Sequence, residues 1–267
     1  MKKKTFSQIC KDIKSIKIQG ARNIAKAGLK AYQLRPTKDS KKKLLALRET
    51  EPMLKHVLDL AENQPIESIL NHFTTAQDKI NKEVLKIIHS NDIIFTHCHS
   101  TNVTFSLINA KKNGKKFQVY NTETRPLFQG RKTAKELKKN KIKVTMFIDS
   151  AMAIALEKKQ GTRKVSRIFI GADALTKKGV INKVGSGMLA ELAKKHKIPL
   201  YVIADSWKYS SKNPPIEQRK LNEIWDKAPK NIKIKNPAFE FVDKKYITKI
   251  VSELGSLTYD KFLKKVK

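Results

Sequence analysis

The chain has 267 residues, 57 Lys and Arg against 24 Asp and Glu, and a formal net charge of +33. Its hydrophobic fraction of 40% is enough for one large or two modest cores. Two cysteines, Cys10 and Cys98, exclude a disulfide framework and a cysteine-based zinc site. No apolar run approaches the ~20 residues of a membrane span, and the first residues, MKKKTFSQICKDIKS, are too polar for a signal peptide. These features predict a cytoplasmic protein with no membrane partner. The positive charge attracts anions, from phosphorylated metabolites to nucleic acid. The lysines are scattered through every segment, however, which favours a lysine-biased composition over a nucleic-acid face.

Residues 1–90 read as helical. FSQICKDIKSIKI has apolar residues near helical spacing, Gly20 interrupts it, and ARNIAKAGLKAYQL resumes the pattern. SKKKLLALRETEPMLKHVLDLAEN and IESILNHFTTAQDKINKEVLKIIHSN continue as amphipathic helices, with Pro52 and Pro65 as breaks. From Asp92 the period changes. DIIFTH, FQVYNTETRP, KVTMFID, RIFIG and PLYVIAD are strands, and all but the last are followed by helical segments. The segment between RIFIG and the helix MLAELAKKHK reads as a polar, glycine-containing loop. NIKIKNPAFEFV predicts one more strand, and YITKIVSELGSLTYDKFLKKV a packed helix with a closing turn. The fold class expected is α/β: a helical N-terminal domain over residues 1–90, then a Rossmann-like, doubly wound, mainly parallel sheet over 91–267.

Such a sheet places Cys98, Glu123, Asp149, Asp173 and Asp205 along the carboxyl edge, where ligands bind. Cys98 lies between His97 and His99, just before a helix start. A thiol at a helix N-terminus has a lowered pKa and serves as base or nucleophile; a small buried strand residue is an equally open reading. His97 and His99, two residues apart on a strand end, point to the same side and line a pocket or make structural hydrogen bonds rather than bind metal. Asp173 in a closed pocket is an acid or base candidate, whereas Asp149, directly before a helix, fits an N-cap. Asn182 and Lys183, with Gly185 and Gly187 at a helix start, make an anion site by composition. Lys208 falls on the same edge. Gly20, Ala21, Arg22 and Arg125 add little on their own.

Together these residues resemble the family that joins the alpha, beta and delta subunits of translation initiation factor 2B to sugar-phosphate aldose–ketose isomerases. The matching segments are THCHS (96–100), TETRPLFQGRKTAKEL (122–137), IDSA (148–151), GADAL with the following Gly179, INK and Gly185 (171–185), ADSWKYS (204–210) and NPAFEFV (236–242). Cys98 and Asp173 together are similar to the isomerase members, and QGRKTAKEL is closest to the ribose-1,5-bisphosphate branch rather than the methylthioribose-1-phosphate branch or the non-catalytic regulatory subunits. The resemblance implies an isomerase making ribulose 1,5-bisphosphate in nucleoside monophosphate salvage, with Cys98 as base and Asp173 as acid. It implies substrate contacts from Gly20, Ala21, Arg22, Arg35, Ser100, Thr101, Asn102, Arg125, Asn182, Lys183 and Lys208. It implies no metal or redox cofactor, a homo-oligomer (dimer or hexamer) and a nucleotide activator. This chain departs from the family pattern where an Arg-Gly-Ala-Gly loop is replaced by Gln19-Gly20-Ala21-Arg22, and where Arg35-Pro36-Thr37 follows unusually soon.

Overall fold

The computed structural model describes residues 4–266. Five helices come first: α1 (Phe6–Lys14), α2 (Ala21–Leu34), α3 (Lys38–Leu45), α4 (Pro52–Leu60) and α5 (Ile66–Ile87). The hydroxyls of Thr5 and Thr37 cap α1 and α3 by accepting from the N–H groups of Gln8 and Ser40. Gly20, at φ 82°, turns the chain into α2. Pro52 falls at the break expected of it: α3 ends at Leu45 and no helix runs through the proline. It opens α4, because a missing N–H is harmless in the first turn. The apolar faces close on one another through Ile13, Ile24, Leu29, Leu54, Leu58 and Phe73. Helix α5 outlasts that core: its later residues Ile80 and Val84 pack with Ile94, Val103 and Leu107 against the sheet.

The remainder alternates strands and helices: β1 (Asp92–Thr96), α6 (Thr101–Lys112), β2 (Phe117–Thr122), α7 (Gln129–Lys139), β3 (Lys143–Phe147), α8 (Met152–Leu156), β4 (Arg167–Ile170), β5 (Ala174–Leu175), β6 (Gly179–Lys183), α9 (Ser186–Lys195), β7 (Leu200–Ile203), β8 (Phe239–Asp243), β9 (Lys249–Ser252), β10 (Gly255–Leu257) and α10 (Tyr259–Lys265). Seven strands form one sheet in the order β10-β9-β7-β4-β1-β2-β3, and every pairing except β10 with β9 is parallel. Both faces are covered, which explains the continuous apolar strand sequences. Ile93, Phe95, Ile168 and Ile170 enter one core, and the alternating Ile94 and Phe169 enter the other. The mainly parallel α/β fold is therefore as expected, and among the described residues no helix is long and apolar enough to cross a membrane.

Two segments differ from expectation. The glycine-containing stretch after β4 is not a loop: β5 and β6 form an antiparallel hairpin, and β8 pairs with β6 to complete a second, three-stranded sheet. Residues 246–266 are not a helix and turn. They supply β9, the hairpin partner β10, and only then α10. Tyr259 anchors this end by donating its hydroxyl to the Thr176 carbonyl at 2.9 Å, which ties α10 to the β5–β6 turn.

The start of α7 is pressed onto the end of β2. A Cβ at Gly130 would lie 1.7 Å from the Thr122 carbonyl oxygen, and the buried Asn121 amide donates to the Gly130 carbonyl at 2.9 Å. Gly130→Ala is therefore expected to cost about 1–3 kcal/mol, the usual range for overpacking. Urea denaturation reads this directly, and an unchanged midpoint would contradict the close approach.

Candidate active site

The chain lays down β1, β2 and β3 outward in one direction, then returns to place β4 and β7 on the other side of β1. The carboxyl ends of β1 and β4 therefore border the point where the winding reverses, and parallel sheets leave a crevice there. Cys98 follows β1 and Asp173 follows β4. Both line a cavity of about 110 Å³. The two strand-end segments touch: a Cβ at Gly171 would come within 2.6 Å of the Ser100 side chain. Only glycine permits that approach.

Hydrogen bonds fix the β1 end from both sides. The Cys98 N–H donates to the Thr124 hydroxyl at 3.0 Å, and the Thr133 hydroxyl donates to the Cys98 carbonyl at 2.9 Å. Asp149 is not the N-cap expected from its position. Its carboxylate accepts from the N–H groups of Thr124 (2.9 Å) and Arg125 (2.6 Å), so it holds the loop that holds Cys98. The two histidines are structural. His97 must donate from Nε2 to the Val184 carbonyl (2.8 Å), since a carbonyl only accepts, and its Nδ1 meets the Thr122 hydroxyl (2.6 Å). His99 Nδ1 pairs with Thr133 at 3.0 Å. Burial lowers both rings' pKa, that of His99 to about 4, so they stay neutral.

The thiol behaves differently from the helix-terminus expectation. Burial pushes Cys98 up to about 11, against the opposing charge of Lys183, with the Asp173 carboxylate adding to the rise. Removing water from around the thiolate outweighs the helix start and the lysine together. Burial also raises Asp173, opposed by Lys208, Lys183 and Arg48. Lys208 is buried and donates to the Ala172 carbonyl at 2.7 Å, beside Asp173. The Asn182 amide donates to the Ser186 hydroxyl at 2.8 Å, which in turn donates to the Lys183 carbonyl. Asn182 and Lys183 thus stand on the cavity wall at the end of β6 rather than in a mobile loop.

Three helix starts converge on this space: Gly20, Ala21 and Arg22 at α2, Ser100, Thr101 and Asn102 at α6, and Gln129 with Lys132 at α7. Unpaired N–H groups and the helix dipole make each attractive to anions. Gln77 from α5 joins two of them: its carbonyl accepts from Asn102 at 2.9 Å and from Arg22 at 3.5 Å. Arg35 and Arg125 are exposed and do not line the cavity. Arg48 lies where an arginine from the N-terminal helices was expected, with Glu51 beside it and Glu217 and Arg219 closing the wall. Asp205 also lies off the cavity, where both its oxygens are 3.1 Å from His72 Nε2. Arg48, Glu51, Glu217 and Gln129 were not singled out from sequence. Gln129 opens the family-like run QGRKTAKEL; the others sit in amphipathic or irregular stretches, where the crowded RETEP (48–52) between two helices is the one signal.

In a Cys10→Ser background, thiolate absorbance of the unliganded protein should rise with a midpoint near about 11. A midpoint near the ordinary value of 9.0 would show that water reaches the sulfur.

The relatives' names fall in two isomerase groups. The ribose 1,5-bisphosphate isomerase of Methanocaldococcus jannaschii is 31% identical over 277 residues, covering 91% of this chain and 88% of that one. That of Archaeoglobus fulgidus is 34% identical over 199 residues, and this chain spans 61% of its length. The methylthioribose-1-phosphate isomerase of Thermosipho melanesiensis is 33% identical over 232 residues, 79% of this chain and 66% of that one. In fold, the chain is similar to the translation initiation factor eIF-2B of Pyrococcus horikoshii, with a TM-score of 0.82, 24% identity, and coverage of 95% and 96% of the two chains. A family model matches residues 12–259, and the chain belongs to the Initiation factor 2 subunit family.

Proposed function

We propose that this protein is a sugar-phosphate isomerase that converts ribose 1,5-bisphosphate into ribulose 1,5-bisphosphate. The observation that carries the reading is the placement of Cys98 and Asp173 on one cavity, ringed by helix starts and cations. The relatives' names supply the reaction class.

The conversion is a redistribution of protons within one molecule. Cys98, as thiolate, takes the proton from C2 while Asp173, as acid, gives one to the ring oxygen; the C1–ring oxygen bond breaks and an enol phosphate forms. Cys98 then returns its proton to C1, and the 2-hydroxyl proton goes to Asp173 as the ketone forms. Atoms and charges balance, and both groups end as they began. The proton count of the resting site agrees with this. A neutral thiol beside an ionised Asp173 holds as many protons as a thiolate beside a neutral Asp173, so one internal transfer arms both groups. Burial raises both pKa values, so each group holds its proton more tightly than it would in water.

Two phosphates need two anion sites. The α2 and α6 starts with Arg22 offer one, and Lys183, Lys208 and Arg48 offer the other. A substrate with one phosphate and a thioether would place its apolar end against charged groups, so the cavity lining favours the bisphosphate.

Purified protein given ribose 1,5-bisphosphate and methylthioribose 1-phosphate separately should convert the first faster. Cys98→Ser and Asp173→Asn should each lower kcat by roughly 10²–10⁴-fold with the fold intact, the range for removing one proton-transfer group. Binding of either sugar phosphate without turnover would support a regulatory role instead. Full activity in Cys98→Ser would exclude the thiol as base.

A further inference from the structure

One buried carboxyl group on the cavity has no part in that mechanism. Glu51 precedes α4 and is 3% exposed. Its Oε1 accepts from Arg48 Nη2 at 3.3 Å, but its Oε2 is buried with no hydrogen-bond partner among the described residues. A bare carboxylate oxygen in that position is costly. A proton on Oε2 removes the charge and makes the oxygen a donor that needs an acceptor. Since Glu51 lines the same cavity as Cys98 and Asp173, the acceptor can come from the ligand.

The geometry points to Glu51 as a neutral carboxylic acid whose Oε2–H donates a hydrogen bond to the substrate oxygen on which negative charge develops during isomerisation, so that it is a further catalytic residue. This rests on the isomerase reading above and names a third group for it. No proton is transferred. The donor is pre-placed in an enclosed site where it gains more than it would in water. The charged groups acting on Glu51 come from several segments. Arg48 before α4 and Lys208 after β7 favour its ionised form, whereas Asp173 after β4 and Glu217 in the segment before β8 oppose it. Burial exceeds all four and pushes the carboxyl up to about 8, so the neutral acid prevails at neutral pH. The same logic explains how three carboxyl groups coexist with phosphate binding. A neutral Glu51 does not repel the ligand, and Glu217 is neutralised by Arg48 (3.1 Å) and Arg219 (3.0 Å).

The test compares an amide, which keeps a donor, with a thioether, which does not. Glu51→Met should lower kcat by roughly 10²–10³-fold with KM little changed, the usual loss for one such donor. Glu51→Gln should retain most of the activity. In the wild type kcat should fall as pH rises past about 8, because the ionised carboxylate repels the developing charge, and Glu51→Gln should lack that alkaline limb. Equal losses in the two variants, or an unchanged limb in Glu51→Gln, would overturn the inference. A second measurement does not depend on turnover or on the variants folding: carbon-13 NMR titration of wild-type protein labelled at glutamate carboxyls. One resonance should titrate near about 8. If all titrate in the ordinary carboxylate range, Glu51 is not an acid at neutral pH and the inference fails. If the wild type converts neither sugar phosphate while that resonance is present, the isomerase reading fails and the neutral carboxyl stands.

Discussion

Cys98 holds a left-handed backbone conformation (φ 68°) that costs a non-glycine residue about 1–3 kcal/mol, and the cavity's geometry follows from how that conformation is kept. Threonine hydroxyls take both of its backbone groups. One of these belongs to Thr124, which is itself left-handed (φ 63°) and is held through its N–H by Asp149. Three successive strand ends are thereby linked: the loop after β3 fixes the loop after β2, which fixes the residue after β1. The bend at Cys98 also breaks the alternation of the strand. His97 turns to Thr122 and Val184, and His99 to Thr133, so both rings brace the thiol's backbone from different elements.

With the sulfur placed, the balance between burial and charge decides what it can do. Six cationic side chains and three carboxyl groups line the cavity. Water exclusion raises the cost of every unpaired charge, which pushes Cys98, Asp173 and Glu51 toward their neutral forms. The cations do not reverse that trend. They bring the ionised forms within reach. The helix starts complement them by offering partial positive charge on rigid backbone, which attracts phosphate without ordering a long side chain.

The sheet was legible because its chemistry is periodic. Both-face burial makes DIIFT and RIFI continuous apolar runs, and α6 and α9 follow at the spacing that a right-handed crossover requires. From that much, Cys98 and Asp173 fall on one edge. What could not be read is pairing at a distance. β5 is only two residues long and β6 pairs with β8, on the far side of residues 184–238, so the hairpin carries no local signature beyond Gly179. The end of the chain reads as helix in sequence because β9 and β10 are short and joined by a tight turn at Glu253–Leu254. Among site residues, the same limit separates Asn182 and Lys183 from Arg48 and Glu51. The first pair ends β6, directly before the glycine-marked start of α9. The second lies between two helices whose docking onto the sheet is a tertiary fact, which is also why Arg35, with its neighbouring proline and threonine, was the more conspicuous candidate and lies outside the cavity.

The surplus of lysine has a structural logic apart from any one ligand. Basic residues occupy the last turn in α1, α3, α5, α6, α7, α9 and α10, where the exposed carbonyls carry partial negative charge, and acidic residues in first turns are few. The lysines of these last turns are therefore placed where they help their own helix, mostly at solvent-exposed positions where salt screens them within about 8–10 Å. Lys183 and Lys208 are different: both are buried, one over the Phe239 ring at 5.4 Å and the other on the Ala172 carbonyl. Immobilised in this way, they act at full strength over the short distances inside the cavity. The remaining charge contributes a diffuse positive field that concentrates anions near the molecule without selecting among them. Selection falls to the few cations that the fold removes from water, and these are the ones that surround Cys98, Asp173 and Glu51.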